Sequence, residues 1–199
     1  MKEKLVVIGN GMSGLRTIED LFDIQKDKYD ITIFGDEPHL NYNRIMLSYL
    51  LSGEKTFEET IINHQTWYDE HNITLNKGDK VIKIDKENKK VYSQSGKELS
   101  YDKLLIATGS NSFIPPTIGS ELENVIGFRT KLDSDTILDL ISKDKIAVVV
   151  GGGLLGLEAA YGIAMHGIKT ILVHRSGSVL SQQLDSTGGR LLQKNLETY

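Results

Sequence analysis

The chain has 199 residues, 39% hydrophobic and 25% charged, with a formal net charge of −4 at pH 7; that is an ordinary globular composition, with room for one large domain or two small ones. The acidic balance and the lack of a basic cluster argue against a nucleic-acid surface, and no apolar run approaches the ~20 residues that a membrane-spanning helix needs. Cysteine is absent, which excludes a disulfide, thiolate iron–sulfur ligands and a redox-active cysteine pair within these residues, so any electron transfer runs through bound cofactors.

The N-terminus, MKEKLVVIGNG, passes from a brief basic start straight into a glycine loop. It does not read as a signal peptide, and a cytoplasmic location is the default expectation. Leu5–Ile8 predicts a buried parallel strand. Gly9, Gly11 and Gly14 follow in the spacing G-x-G-x-x-G, and Leu15, Ile18, Leu21 and Phe22 then have helical spacing. Strand, tight turn and helix are the context a dinucleotide fingerprint requires. The first glycine permits the turn, the second admits a pyrophosphate and the third lets helix and strand pack closely. The helix N–H groups and positive dipole end would then face the phosphates.

Tyr29–Phe34 alternates and predicts the second strand of this βαβ unit. Asp36 and Glu37 follow, about 20 residues after the turn, where a carboxylate accepts from an adenosine ribose. Arg44 opens a helical stretch with Ile45, Met46, Leu47, Leu50 and Leu51 as its apolar residues. A guanidinium there is able to pair with a pyrophosphate, although the local sequence alone favours a surface arginine. A helix is predicted around His64–Glu70, with Trp67 as a packing residue; His64 and His71 lack metal-ligand company. Short strands follow at Ile73–Leu75, Val81–Ile84 and Lys90–Tyr92, with polar turns at Asp85–Lys89 and Ser95–Lys97. Tyr101–Ala107 predicts another buried strand, ending at Thr108 and Gly109. Pro115-Pro116 and Gly119-Ser120 mark a break, and Asp133–Ser142 predicts a helix with Ile137, Leu138 and Ile141 on one face.

The fingerprint then recurs. Ile146–Ala160 reads IAVVVGGGLLGLEAA, with Gly151, Gly153 and Gly156 in the same spacing after Val148–Val150. A helix through Glu158 and the strand Lys169–Val173 complete a second unit. That strand ends in His174-Arg175, where an NAD site usually offers a carboxylate; the exchange points toward a 2′-phosphate and NADP. The last segment, Asp185–Tyr199, is helical in pattern. These elements predict an α/β protein with two Rossmann-like dinucleotide-binding domains, each a doubly wound parallel sheet in three layers, the second truncated. Residues 1–112 make the first with an inserted β-meander, 113–143 a connection, and 144–199 the N-terminal part of the second.

Five segments carry a family resemblance: VVIGNGMSG, FGDEPHLNYNRIMLS, GEKTFE, YDKLLIATGSNSFIPP and VVVGGGLLGLEAAYG. Over essentially all 199 residues the chain resembles the N-terminal part of the large subunit of bacterial assimilatory NAD(P)H nitrite reductases, within the flavoprotein superfamily that also holds ferredoxin and rubredoxin reductases. The run NYNRIMLS is the most particular to the nitrite reductase branch. The resemblance implies that Gly9, Gly11, Met12, Ser13 and Gly14 hold the FAD pyrophosphate, and that Asp36 or Glu37 takes the adenosine ribose. It assigns Arg44 to the FAD phosphates, Val81 to the adenine through its backbone, and Ala107, Thr108 and Gly109 to a second FAD contact. Gly151, Gly153, Leu154, Leu155 and Gly156 hold NAD(P)H, with His174 and Arg175 at its ribose, and Glu158 lies close to the reacting rings as the candidate catalytic residue.

There are departures from the family pattern. Related ferredoxin reductases carry lysine after the Leu-Ser pair, where this chain has Tyr49. The superfamily's later Gly-Asp motif, its interface domain and its cysteine-bearing segments have no counterpart here. The implied partners are NAD(P)H and downstream iron–sulfur or sirohaem domains or a small subunit, with no nucleic acid and no membrane; a homo-oligomer is compatible. Two rival readings are a reductase for ferredoxin, rubredoxin or oxygen, and a non-catalytic dinucleotide-binding fragment.

Overall fold

A computed structural model of the protein describes residues 2–25, 27–142 and 144–198. The elements run β1 (Glu3–Ile8), α1 (Met12–Gln25), β2 (Tyr29–Gly35), α2 (Leu47–Ser52), α3 (Gln65–Glu70), β3 (Thr74–Lys77), β4 (Val81–Asp85), β5 (Lys90–Ser93) and β6 (Glu98–Ser100). They continue with β7 (Lys103–Ile106), α4 (Lys131–Leu140), β8 (Ile146–Val150), α5 (Leu154–Ala164), β9 (Lys169–Val173) and α6 (Ser186–Leu196). The chain divides into two compact units, Met1–Asn43 with Ile61–Ser110, and Arg44–Thr60 with Asn111–Tyr199.

The first unit is built on a parallel sheet of order β3-β2-β1-β7. Its central strand β1 is apolar without alternation because both faces are covered. Leu5 and Val7 pack with Ile31 and Ile33 against Leu15 and Ile18 of α1 and Tyr68 of α3. Val6 and Ile8 pack with Phe34 against Val91 of the antiparallel meander β4-β5-β6. Helices, parallel sheet and meander are thus the three layers of this unit. Ile73–Leu75, predicted as a strand, is observed as Thr74–Lys77 and pairs with β2 inside the parallel sheet. The strand predicted at Tyr101–Ala107 is observed as Lys103–Ile106; it is an edge strand, and Ile106 is exposed rather than buried. The strand β6 has no clear sequence signal, since only three residues alternate there after the Ser95–Lys97 turn.

In the second unit β8 and β9 form a parallel pair joined by α5, with Val148 opposite Ile171 and Val150 opposite Val173. One face of the pair, through Ala147 and Val149, packs into a core of Leu51, Ala159, Ile163 and Ile168, joined by Ile137, Leu138 and Ile141 of the α4 segment. The other face stays open, with Val148 58% and Val150 72% exposed. The helix after Arg44 belongs to this unit. Leu51 of α2 lies against α5 at Gly162, where a Cβ would come 3.0 Å from Leu51 Cγ. His166 Nε2 also lies 2.7 Å from the Leu51 carbonyl oxygen.

The meander of the first unit is pinned by Asp79, which accepts from Ser93 Oγ at 3.0 Å, Ser95 N at 3.0 Å and Ser95 Oγ at 2.7 Å. Burial pushes its carboxyl up, but the Ser95 and Ser93 hydrogen bonds and the nearby Lys97 outweigh it, and the net shift is downward. A depressed folded value stabilises the protein above the unfolded pKa of about 3.9 and loses that contribution as pH falls through the folded value. Urea unfolding midpoints measured from about pH 7 to about pH 3 therefore drop on the acid limb, and Asp79→Asn flattens that limb while lowering the neutral midpoint.

Candidate dinucleotide-binding turns

The first candidate turn begins where the ladder of β1 ends. Gly9 N–H donates to Phe34 O at 2.8 Å on one side, and Ala107 N–H donates to Ile8 O at 2.8 Å on the other. Gly9 turns the chain with φ +115°, and a Cβ on it would collide with the Ala107 carbonyl oxygen. A Cβ on Gly14 would lie 2.8 Å from Gly9 O and 3.2 Å from Ala107 Cβ, while one on Gly11 would meet nothing within 4 Å. The strand end, the turn and Ala107 are thereby brought together, with Thr108 and Gly109 exposed beyond. The first helical bond of α1 runs from Leu15 N–H to Gly11 O at 3.1 Å. The N–H groups of Met12, Ser13 and Gly14 point out of the first turn of the helix, with no intrahelical acceptor.

The second turn repeats this geometry. Gly151 N–H donates to Val173 O at 2.8 Å, and Gly151 has φ +119°. A Cβ on Gly156 would overlap the Gly151 carbonyl oxygen, whereas Cβ atoms on Gly151 and Gly153 would meet nothing. Leu157 N–H donates to Gly153 O at 3.0 Å, which leaves the N–H groups of Leu154, Leu155 and Gly156 at the helix opening. The side chains of Leu154 and Leu155 are exposed, and Glu158 lies half-buried one turn along α5.

Both helix openings lack the usual covers. Gly11 and Gly153 have no side chain with which to cap, and neither helix has an acidic residue in its first turn. The other two helices of ten residues or more are closed by side chains. Thr130 and Asp133 make a capping box on α4, and Asp185 caps α6 by accepting from Thr187 and Gly188 N–H. An uncapped N-terminus with space in front of it is a fit for an anionic pyrophosphate. Among the described residues no group of His, Asp or Glu is arranged to hold a metal, and no helix is long and apolar enough to cross a membrane.

The carboxylates after β2 differ in their surroundings. Asp36 is exposed and pairs with Lys80 at 3.0 Å, a surface pair of small energetic consequence. Glu37 is half-buried and accepts from Tyr42 Oη at 2.7 Å, which fixes its carboxylate beside the turn. Val81 opens β4 opposite Ser93. Arg44 lies in the second unit, half-buried, with Nη1 donating to Arg129 O at 3.1 Å. His174 follows β9, and its Nδ1 accepts from Gly152 N–H at 3.0 Å. That bond needs the Nδ1 lone pair, so the neutral ring carries its hydrogen on Nε2. Arg175, next along, is exposed.

The sequence model of the pyridine nucleotide-disulphide oxidoreductases matches residues 3–198. The chain belongs to this family. Members of the family work with FAD and NAD(P)H. Among its relatives, the chain is 46% identical over 196 residues to a nitrite reductase [NAD(P)H] of Bacillus subtilis (strain 168), covering 98% of this chain and 24% of that protein. It is 44% identical to the assimilatory nitrate reductase electron transfer subunit of the same organism, covering 98% of this chain and 25% of the relative. The fold superposes on NADH:rubredoxin oxidoreductase from Clostridium acetobutylicum with a TM-score of 0.83 at 27% identity, covering 100% of this chain and 51% of that one. The chain thus spans about a quarter of the length of the curated relatives it matches.

Several residues beside these turns carry no sequence signal. Asn10 is only the variable position of G-x-G, Tyr68 reads as part of a helix face, and Leu180 reads as loop. Yet Leu180, at φ +50°, donates its N–H to Gly152 O at 2.8 Å, so Gly152 is held on both edges, by His174 and by Leu180. The family fold depends on the missing Cβ atoms unequally. Gly156→Ala is expected to destabilise the second unit by about 3 kcal/mol or more, in line with severe overpacking. Gly11→Ala is expected to change the unfolding midpoint little and to weaken dinucleotide binding at least about tenfold, by crowding the approach to the backbone. Thermal unfolding and binding titrations check the pair.

Proposed function

We propose that this chain is the electron-entry part of an NAD(P)H-dependent flavoprotein of the nitrite reductase type. FAD would occupy the first turn and NAD(P)H the second, with electrons passing on to iron–sulfur and sirohaem centres outside these residues. Bound there, the two cofactors supply the hydride-transfer chemistry and the protein supplies binding and orientation. The observation that carries this reading is the pair of uncapped helix openings, each preceded by a positive-φ glycine and fronted by open space. The 46% identity to a nitrite reductase over 98% of the chain supports the choice of branch.

Each residue then has an assigned task. The Met12, Ser13 and Gly14 N–H groups take the FAD pyrophosphate, and those of Leu154, Leu155 and Gly156 take that of the nicotinamide dinucleotide. Glu37, rather than Asp36, accepts from the adenosine ribose, because Tyr42 already orients its carboxylate. The Val81 backbone meets the adenine, and Ala107, Thr108 and Gly109 close the second side of the FAD site. At the second turn His174 uses its acceptor nitrogen on Gly152, so it cannot replace the carboxylate that accepts from a ribose 2′-hydroxyl; Arg175 beside it suits a 2′-phosphate. Glu158, half-buried on α5, would be the carboxylate close to the reacting rings. A cytoplasmic setting accords with these partners.

A second reading, a reductase serving rubredoxin or ferredoxin, is supported by the superposition on NADH:rubredoxin oxidoreductase; at 27% identity it stands behind the first. The deciding experiment is to load the chain with FAD, remove the excess and titrate it anaerobically with NADH and NADPH. The visible flavin band is expected to persist through desalting and to bleach on addition of either nucleotide. A protein that retains no flavin, or whose flavin neither nucleotide reduces, would sink the proposal. Arg175→Ala is expected to raise the NADPH concentration for half-bleaching by about tenfold and that of NADH by less than about twofold.

A further inference from the structure

Asn10 stands between Gly9 and Gly11 at the tip of the first turn, and it is the one residue of that glycine pair and its linker that has a side chain with which to fasten the loop. Its amide makes two bonds. Nδ2 donates to His39 O at 3.2 Å, and Oδ1 accepts from Tyr68 Oη at 2.9 Å. The directions follow from the partners. A carbonyl oxygen only accepts, so the His39 contact fixes which end of the amide is nitrogen, and Tyr68 must donate.

Tyr68 is itself held. Its ring is 0% exposed and packs edge-on against Trp67 with centroids 5.2 Å apart. Its oxygen accepts from Asn41 N–H at 3.4 Å. Asn41, 2% exposed, donates through Nδ2 to Asn63 Oδ1 at 2.7 Å, and Asn63, 4% exposed, donates to Glu19 Oε1 of α1 at 3.0 Å. The chain of hydrogen bonds links the body of α1, through two buried asparagines and the tyrosine of α3, to the loop that opens α1. Burial pushes the Tyr68 phenol up, against smaller opposing effects of Asn41 and Asn10, so the hydroxyl keeps the hydrogen it donates. Every link lies within the first unit.

We propose that Tyr68 is a positioning residue for the first dinucleotide site: by donating to Asn10 it holds the glycine turn in its binding shape before any ligand arrives. The proposal rests on reading that turn as the FAD pyrophosphate site. Glycine-flanked backbone is the most costly to order, and a turn already fixed by the core does not have to be ordered by its ligand. The hydroxyl contributes nothing to the ring packing, but it also accepts from Asn41 N–H, so Asn10→Ala, which leaves that bond in place, isolates the link to the turn.

The test uses the full chain, Tyr68→Phe, Asn10→Ala and the double variant, with two measurements. The first is amide hydrogen exchange over residues 9–15 without FAD, compared with residues 146–164. The second is FAD affinity by flavin fluorescence. Tyr68→Phe is expected to speed exchange over 9–15 about tenfold, leave 146–164 unchanged and raise the FAD Kd about tenfold, the scale of one buried hydrogen bond. Asn10→Ala, which leaves the core intact, should do the same, and on that background Tyr68→Phe should add less than about twofold. Parental exchange over 9–15 in Tyr68→Phe, or affinity losses that multiply in the double variant, would overturn the proposal. Faster exchange in a chain whose parent binds no FAD would uphold the positioning role and instead overturn the FAD reading of the turn.

Discussion

A helix can begin on top of the strand turn that precedes it only if the residue at the point of contact has no Cβ. Gly14 meets Gly9 O in the first unit and Gly156 meets Gly151 O in the second. This contact sets the direction of α1 and α5, and with it the direction in which their first N–H groups point. The ladder fixes the other end of each turn. The last bonds to Phe34 O and from Ala107 N–H flank Gly9, and the bond to Val173 O flanks Gly151. The turn therefore inherits its position from the sheet and its orientation from a steric limit, and neither requires the ligand.

The middle of each turn is secured by different chemistry. In the first, Asn10 reaches out through its amide to His39 and Tyr68. In the second, Gly152 has no side chain to extend, and its own backbone is gripped by His174 Nδ1 and Leu180 N–H. A Cβ on Gly152 would lie 2.8 Å from His174 Cγ, so the ring packs where a side chain would otherwise emerge. Leu180 accepts a left-handed backbone at φ +50° to make its bond, a conformation a leucine adopts at a cost of order 1 kcal/mol when its surroundings over-determine it. One turn is thus braced from the core beneath it and the other from the loop that follows its second strand.

Much of this was legible before any coordinates, and the reason is local. The glycine spacings, the apolar run of β1 and the alternation of β2 are each set by neighbours within a few residues, and the observed β1, α1, β2, α5 and β9 follow them closely. Burial was less legible, because a run such as Val148–Val150 does not say how many strands will lie beside it. The observed pair β8-β9 covers one face only and leaves Val150 open. The same holds for β7, whose edge position exposes Ile106. Least legible were Asn10, Tyr68 and Asn63, whose partners lie 58, 58 and 44 residues away in sequence. A polar residue reveals its role through the other end of its hydrogen bond, and periodicity carries no record of that.

The placement of carboxylates separates two kinds among the helices of ten residues or more. Every helix begins with N–H groups that want an acceptor. At α4 and α6 the sequence provides one, through Thr130 with Asp133 and through Asp185. At α1 and α5 a glycine stands in the cap position and the first turn is free of acid. A serine or aspartate at Gly11 or Gly153 would satisfy the same donors and stabilise the helix by roughly a few tenths of a kcal/mol, and an aspartate would also repel a pyrophosphate. The acids that do lie close, Asp36 and Glu37, come after β2 and are turned toward Lys80 and Tyr42. The helix openings therefore keep their positive character because stabilising caps are withheld from them, and the proposed binding role rests on that omission as much as on any residue present.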